Sequence, residues 1–208
     1  MSADQVKLGL LLPTRGVLLR GDPDADLIFR LAERAEQAGL DSVWVGDSLL
    51  AKPRLEPLTV LAAVAARTGR VRLGTAVLLA AMRHPLLLAQ AAHTLDLISQ
   101  GRLVLAVGVG GAFNEAQRRE WQAVGVEPSR RAQRLEELVY LLKRLGSEEQ
   151  VSFRGQHFKL DSVHLEPRPI RRGGVPILLA CHLRAGQEAQ FRRAAELGDG
   201  LISISETP

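Results

Sequence analysis

A glycine-rich segment, Gly108-Val109-Gly110-Gly111, follows a short apolar run, Leu103–Val107. Because glycine has no Cβ, the backbone amides of such a segment can approach a ligand directly. An apolar run of this length that ends at turn residues is typical of a strand buried on both faces. The segment therefore predicts either a ligand site at the end of a parallel strand or a purely structural turn.

A carboxylate and an imidazole follow two other apolar runs of the chain. Asp47 comes directly after Ser42–Gly46, and His182 comes directly after Pro176–Cys181. A carboxylate at the end of a strand could transfer a proton, or it could cap the turn that follows. We expect Cys181, the single cysteine, to be a small buried side chain rather than a nucleophile. The histidines show no metal-ligand spacing, so we predict no metal site.

The elements that position these residues alternate between strand and helix. Val71–Leu79 is predicted as a strand, and Pro85 opens the helix that follows it. Asp24 or Asp26 is expected to cap the first helix of the chain. Successive strand–helix units predict a parallel sheet, either doubly wound or closed into a barrel. The chain provides about six core strands, whereas a (β/α)₈ barrel needs eight, so we expect an incomplete barrel or an open sheet.

The segment between residues 147 and 174 departs from this alternation. Gln150–Leu160 contains two alternating stretches around Arg154-Gly155-Gln156, which predicts a small β-hairpin. We therefore interpret residues 1–208 as one α/β domain with an insertion at about residues 147–174. Asp96 and Arg102 flank a predicted helix end, and we expect them to form a structural ion pair.

Composition indicates the class of partner. The chain has 208 residues, of which 46% are hydrophobic and 24% charged, which is typical of a globular protein with a sizeable core. The net charge is +4, but the basic residues are spread along the chain and only 4% of residues are aromatic. This pattern argues against a nucleic-acid platform and favours an anionic small molecule. We expect no signal sequence and no membrane span, and the single cysteine fits the reducing cytoplasm.

The order and wording of several motifs resemble the luciferase-like monooxygenases, the bacterial-luciferase superfamily of flavin- and deazaflavin-dependent enzymes. The resemblance runs from about Val6 to Ser205, and its motifs are SVWVGDS, LGTAV, RHPLLLAQAAHTLDLISQGRLVLAVGVGG, EWQAVGV, RRAQRLEE, FRGQHFKLDSVHLEPRP and AAELGDGLI. It implies a TIM-barrel-like (β/α)₈ fold that binds its cofactor at the carboxyl ends of the strands. The segments GDSLL and RLEPLTVLAAVAARTGRVRLGTAV are most similar to the branch that uses the deazaflavin F420, with FMN as the alternative.

The resemblance also implies roles for individual residues. The third strand, with a cis peptide bond between Ala76 and Val77, would lie behind the cofactor ring, and the glycine segment would lie at the ring edge. The loop after Pro176–Cys181 would bind the cofactor phosphate. The expected catalytic residue is Asp47, and the expected cofactor-binding residues are Thr75, Ala76, Val77, Gly108, Gly110, Gly111, Cys181, His182 and Leu183.

Two positions depart from the pattern of F420-dependent dehydrogenases. Those enzymes usually place a histidine after the acidic residue that ends the second strand, and some place a glutamate after the glycine segment. This chain has Ser48 and Ala112 at those positions. The histidine–acid pair of the sugar-phosphate dehydrogenases is therefore absent as a motif.

The sequence predicts an oxidoreductase that transfers a hydride between F420 and a small organic substrate, or that activates oxygen with reduced FMN. The alternative is a flavin-binding protein without turnover, or a truncated, inactive member of the family. An incomplete barrel would expose strand edges, which predicts a homo-oligomer, in the simplest case a dimer.

Overall fold

Strands and helices alternate along the chain in a computed structural model. The structure describes residues 6–21, 23–182 and 188–203. Its strands and α-helices are, in order, β1 (Gly9–Leu11), α1 (Ala25–Gln37), β2 (Ser42–Val45), α2 (Pro57–Arg67), β3 (Arg72–Thr75), α3 (Pro85–Ile98), β4 (Leu103–Val107), α4 (Glu115–Ala123), α5 (Arg131–Ser147), β5 (Val151–Arg154), β6 (Lys159–Val163), β7 (Ile177–Cys181), α6 (Glu188–Leu197) and β8 (Gly200–Ser203).

Six of the strands form one parallel sheet in the order β1-β2-β3-β4-β7-β8. Because every pair is parallel, all the carboxyl ends lie at the same edge of the sheet, as in a (β/α)₈ barrel. The predicted incomplete, TIM-barrel-like α/β fold is confirmed. β1 and β8 are the two outer strands of this sheet, and the dimer expected from such edges stays a prediction.

The two faces of the sheet are filled differently. On the face covered by the helices, Val43 and Leu73 are fully buried. On the opposite face, one side chain, Trp44, extends over the neighbouring strands. A Cβ on Gly74 would lie 2.1 Å from the Trp44 ring, and a Cβ on Gly9 would lie 2.8 Å from its Nε1. Glycines in β1 and β3 therefore make room for a single indole, whose Nε1 donates to Ser42 Oγ at 2.8 Å.

The third strand is shorter than predicted. The apolar run of residues 71–79 predicts one strand, but β3 ends at Thr75 and a short 3₁₀ turn forms at Ala80–Met82. The Thr75 hydroxyl both donates to the Ala106 carbonyl at 2.8 Å and accepts from the Ala106 amide at 2.9 Å. At this point the Thr75 side chain replaces the backbone hydrogen bonds between β3 and β4. The hydrophobicity of the sequence does not predict this replacement.

The predicted hairpin is confirmed as the antiparallel pair β5–β6. It is attached to α5 by the Glu137 carboxylate, which accepts hydrogen bonds from the amides of Gln156 at 2.8 Å and His157 at 3.0 Å. The cap of the first helix is also confirmed, because the Asp24 side chain accepts from the Leu27 amide at 3.1 Å. Within the described ranges, no helix is long and apolar enough to cross a membrane.

The predicted ion pair between Asp96 and Arg102 is wrong. Asp96 pairs instead with Arg171, at 2.7 Å between Oδ1 and Nη2. Arg102 extends toward the end of α2 and donates to the carbonyls of Ala65 and Thr68 at 2.9 and 2.8 Å. Asp96 and Arg102 lie close together in the sequence, but Asp96 contacts the segment before β7 and Arg102 contacts the end of α2. The two side chains therefore do not form an ion pair with each other.

Candidate functional site

Three residues from neighbouring strand ends pack together at the carboxyl edge of the sheet, with Gly108 buried and Val77 and Ala180 half-buried. Gly108 follows β4, Val77 follows β3, and Ala180 lies in β7. A Cβ built on Gly108 would lie 2.9 Å from Val77 Cγ2 and 3.5 Å from Ala180 Cβ. We call Val77, Gly108 and Ala180 the apolar wall. The peptide bond before Val77, between Ala76 and Val77, is cis, as the resemblance implied.

The glycine segment beside the apolar wall is fixed through its carbonyls. Trp121 Nε1 donates to the Gly111 carbonyl at 2.8 Å, and Arg131 Nε donates to the Gly110 carbonyl at 3.0 Å. Gly110 has a φ of +75°, and a Cβ there would lie 2.9 Å from Trp121. The amides of Val109, Gly110 and Gly111 make no hydrogen bond to the part of the chain that the structure describes. Helices α4 and α5 thus hold the segment through its carbonyls, and its amide donors have no partner among the described residues.

Asp47 follows β2 and is held by two donors. Its side chain is only 8% exposed, and Oδ2 accepts from the Leu79 amide at 2.9 Å and from Arg83 Nη1 at 2.6 Å. Arg83 also contacts Glu56, at 3.3 Å between Nη2 and Oε1. Sequence reasoning identified Asp47 but missed Arg83, although this arginine lies in the RHP motif that the resemblance included. The pair fixes the segment after β3 against the end of β2.

The residue after Asp47 is held by a buried carboxylate that sequence reasoning also missed. Glu120, in α4, is 2% exposed, and its Oε1 accepts from Ser48 Oγ at 3.0 Å and from the Leu50 amide at 2.8 Å. The Leu49 amide donates to the same oxygen. The Ser48 hydroxyl is therefore occupied, and it connects the loop after β2 to α4.

A cavity of about 240 Å³ opens beside Asp47. The Arg54 guanidinium lies over Gly46, where a Cβ would be 3.1 Å from Arg54 Cζ. The lining residues are Asp47, Ser48, Leu49, Arg54, Glu56, Leu79, Met82, Arg83 and Val124. Carboxylates, guanidiniums and apolar side chains thus meet at the same edge of the sheet as the apolar wall.

The other predicted site residues have different surroundings. Thr75 uses its hydroxyl within the sheet. The Cys181 side chain is buried, its Sγ lies 3.5 Å from the Gln190 carbonyl, and burial raises the pKa of the thiol. The His182 amide donates to Gln190 Oε1 at 2.9 Å. Leu183 lies outside the described residues, so the predicted phosphate loop is described only at its first two positions.

The described residues contain no group of three or more His, Cys, Asp or Glu side chains that could hold a metal ion. His84 caps α3, since its Nδ1 accepts from the Leu86 amide at 3.3 Å. His93 is buried and its Nδ1 lies 3.0 Å from the Pro167 carbonyl.

Comparison with known proteins identifies the relatives of this chain. It is 39% identical over 183 residues to an F420-dependent glucose-6-phosphate dehydrogenase of Kineococcus radiotolerans, an alignment that covers 84% of this chain and 51% of that protein. The crystal structure of monooxygenase RslO1 from Streptomyces bottropensis is 33% identical with a TM-score of 0.80, and covers 94% of this chain and 59% of that one. An F420-dependent secondary alcohol dehydrogenase in complex with an F420-acetone adduct is 26% identical with a TM-score of 0.78, and covers 96% of this chain and 58% of that one.

The chain spans about half the length of the curated relatives it matches. The sequence profile of the luciferase-like monooxygenases matches residues 6–208, which is nearly the whole chain. The chain therefore belongs to the luciferase-like monooxygenase family.

Proposed function

We propose that this protein is an oxidoreductase that binds F420 against the apolar wall and exchanges a hydride with a small organic substrate. The observation that supports the proposal is the half-buried carbon of Val77 and Ala180 over Gly108, together with neighbouring amides that have no partner among the described residues. A planar ring with a polar edge needs both features, an apolar surface to lie on and hydrogen-bond donors at its rim. The names of the relatives, two of which are F420-dependent dehydrogenases, support F420 as this ring.

The residues of the site fit such a ring in three ways. Val77 and Ala180 would exclude water from one side of it, because they present only carbon. The amides of Val109, Gly110 and Gly111 would orient its polar edge, because Trp121 and Arg131 already hold the segment in place. When bound, F420 supplies a ring carbon that accepts or releases the hydride. The protein's part is binding, orientation and exclusion of water.

Asp47 remains the proposed catalytic residue, acting together with Arg83. Its carboxylate lies at the edge of the sheet where the apolar wall ends, and its ion pair fixes the geometry of that edge. A group positioned in this way could accept a hydrogen bond from a substrate hydroxyl through its second oxygen, Oδ1. The substrate would then enter through the cavity beside Asp47.

FMN-dependent oxygenation is the second candidate, and Ser48 favours it. Because residue 48 is a serine, this position provides no imidazole for oxidising an alcohol. Its hydroxyl donates to Glu120. The 33% identical relative is named a monooxygenase, which agrees with this reading. Titration of the purified protein with F420 and with FMN decides between the two candidates, and a protein that binds FMN without turnover would support the alternative of a flavin-binding protein.

The titration is sharpest with a pair of glycine variants. Gly108→Ala places a methyl group against Val77 in the apolar wall, whereas Gly69→Ala adds a methyl group with no atom within 4 Å. We expect Gly108→Ala to weaken F420 binding by roughly tenfold or more, and Gly69→Ala to leave it unchanged. Fluorescence of F420 measures both affinities. If neither F420 nor FMN binds at micromolar concentration, or if the two variants bind equally, the proposal is wrong.

A further inference from the structure

Arg54 is a cation at the carboxyl edge of the sheet that has no hydrogen-bond or ion-pair partner in the part of the chain that the structure describes. Its guanidinium is half-buried, packs against Gly46, and lines the cavity beside Asp47. Within residues 6–21, 23–182 and 188–203, it makes no hydrogen bond and no ion pair. A partly buried guanidinium usually finds an acceptor, so one with no acceptor among the described residues is suited to an acceptor on a ligand.

The carboxylates of the same cavity accept hydrogen bonds from the protein itself. Arg83 pairs with Asp47 at 2.6 Å and with Glu56 at 3.3 Å, and the other oxygen of Glu56 accepts from the Thr59 amide at 2.7 Å. Asp47 also accepts from a backbone amide. Each carboxylate thus has hydrogen-bond donors within the protein, whereas the Arg54 guanidinium has no acceptor among the described residues.

The backbone on both sides of Arg54 is constrained. Pro53 precedes it and fixes its own φ, and the Leu55 amide donates to the Thr14 carbonyl at 3.3 Å. Leu55 also packs against the hydrophobic core. The backbone that bears the Arg54 side chain is therefore constrained, and this lowers the entropic cost of binding a ligand to its guanidinium.

We propose that Arg54 binds an anionic oxygen group of the substrate, a phosphate monoester or a carboxylate, in the cavity beside Asp47. The planar fork of a guanidinium matches the two oxygens of either group. The assignment of this anion to the substrate rests on the proposed function, in which the cofactor ring lies on the apolar wall next to this cavity. The assignment to an anion rests only on the cavity and on Arg54.

The anion itself can be tested without cofactor. Titration calorimetry with inorganic phosphate and with acetate, at constant ionic strength, measures binding to the wild type and to Arg54→Gln. We expect at least one of the two anions to bind the wild type and to bind Arg54→Gln roughly tenfold more weakly. Arg54→Lys, which keeps the charge but loses the fork, should restore part of the affinity. Arg119→Gln, a change of equal charge at a side chain that is 71% exposed, is the matched control and should bind like the wild type.

The source of the anion is tested by F420 affinity. If Arg54 binds the substrate, Arg54→Gln should bind F420 as tightly as the wild type does. If it loses F420 affinity in parallel with phosphate, Arg54 binds the anionic tail of the cofactor and the proposal is overturned. Equal binding of phosphate and acetate to the wild type and Arg54→Gln, or no binding to either, also overturns it. Arg54-dependent anion binding in a protein that binds no F420 would instead contradict the proposed function and leave the anion site standing.

Discussion

The amino and carboxyl edges of the sheet differ in how many of their polar groups have hydrogen-bond partners within the protein. At the amino edge, Arg102 alone donates to carbonyl or hydroxyl oxygens of Ala65, Thr68, Val71 and Ser99. At the carboxyl edge, the amides of the glycine segment, the buried Thr14 hydroxyl and the Arg54 guanidinium have no partner among the described residues. Among the described residues, the amino edge satisfies most of its polar groups from within, with buried Arg171 Nε as an exception, whereas the carboxyl edge leaves several donors unused.

This difference separates stability from function within one sheet. Each buried donor or acceptor that is satisfied within the protein contributes to folding, whereas an unused one costs stability unless a ligand binds it. In barrels of this kind, the carboxyl edge carries the ligand site and the amino edge carries stability. The two edges should therefore respond differently to substitution.

The largest expected effect is that of Arg102→Ala at the amino edge. The change leaves several carbonyls at the end of α2 without a donor, and we expect the free energy of unfolding to fall by about 3 kcal/mol. Urea denaturation measures the loss. Arg119→Ala, which removes an exposed ion pair with Glu115, should change it by less than about 0.5 kcal/mol. Equal effects of the two substitutions on the free energy of unfolding would contradict the stabilising role of Arg102 at the amino edge.

An intermediate effect is expected from Glu120→Ala at the carboxyl edge. Glu120 is buried there and accepts backbone amides, as the carboxylates of the amino edge do. Its removal frees the loop at Ser48–Leu50, so we expect a stability loss of about 2 kcal/mol together with weaker F420 binding. A loss of stability with unchanged F420 affinity would show that this loop does not belong to the site.

The smallest effect concerns the pH dependence of stability at the amino edge. Burial on its own raises the pKa of Glu36, but the amides of Gly69, Val71 and Arg70 lower it more, so its net pKa lies below the ordinary value of 4.5. The stability that Glu36 contributes is therefore complete above that ordinary value and is lost as the pH falls through the folded-state pKa. Denaturation midpoints across acidic pH should fall less steeply for Glu36→Gln than for the wild type. Parallel pH profiles would contradict this assignment.

The sequence predicts the periodic features of this protein well and its isolated polar contacts poorly. The parallel strand–helix units, the hairpin and the Asp24 cap follow from local patterns of hydrophobicity and capping. The end of β3 does not, because the Thr75 hydroxyl replaces a backbone partner 31 residues away. Glu120 is missed for the same reason, since its acceptor role depends on amides about 70 residues distant.

The candidate site shows the same limit. The sequence suggests Asp47 and Gly108 from their places after apolar runs and Val77 from the family resemblance, and the roles of all three stay predictions. In the sequence, Arg54 is one of many arginines and lies in a proline-containing loop. What distinguishes it is that it has no partner in the described part of the structure. Pairing is a property of the tertiary structure, as the wrong pair of Asp96 and Arg102 also shows.

The chain contains two tryptophans, and the fold places them in different surroundings. Trp44 lies over Gly74 within the sheet, whereas Trp121 donates directly to the Gly111 carbonyl of the glycine segment. The ultraviolet emission of the protein therefore has two separable sources. With Trp44 replaced by phenylalanine, the remaining indole becomes an intrinsic fluorescent reporter of the glycine segment that we propose to bind the cofactor, and it needs no attached dye.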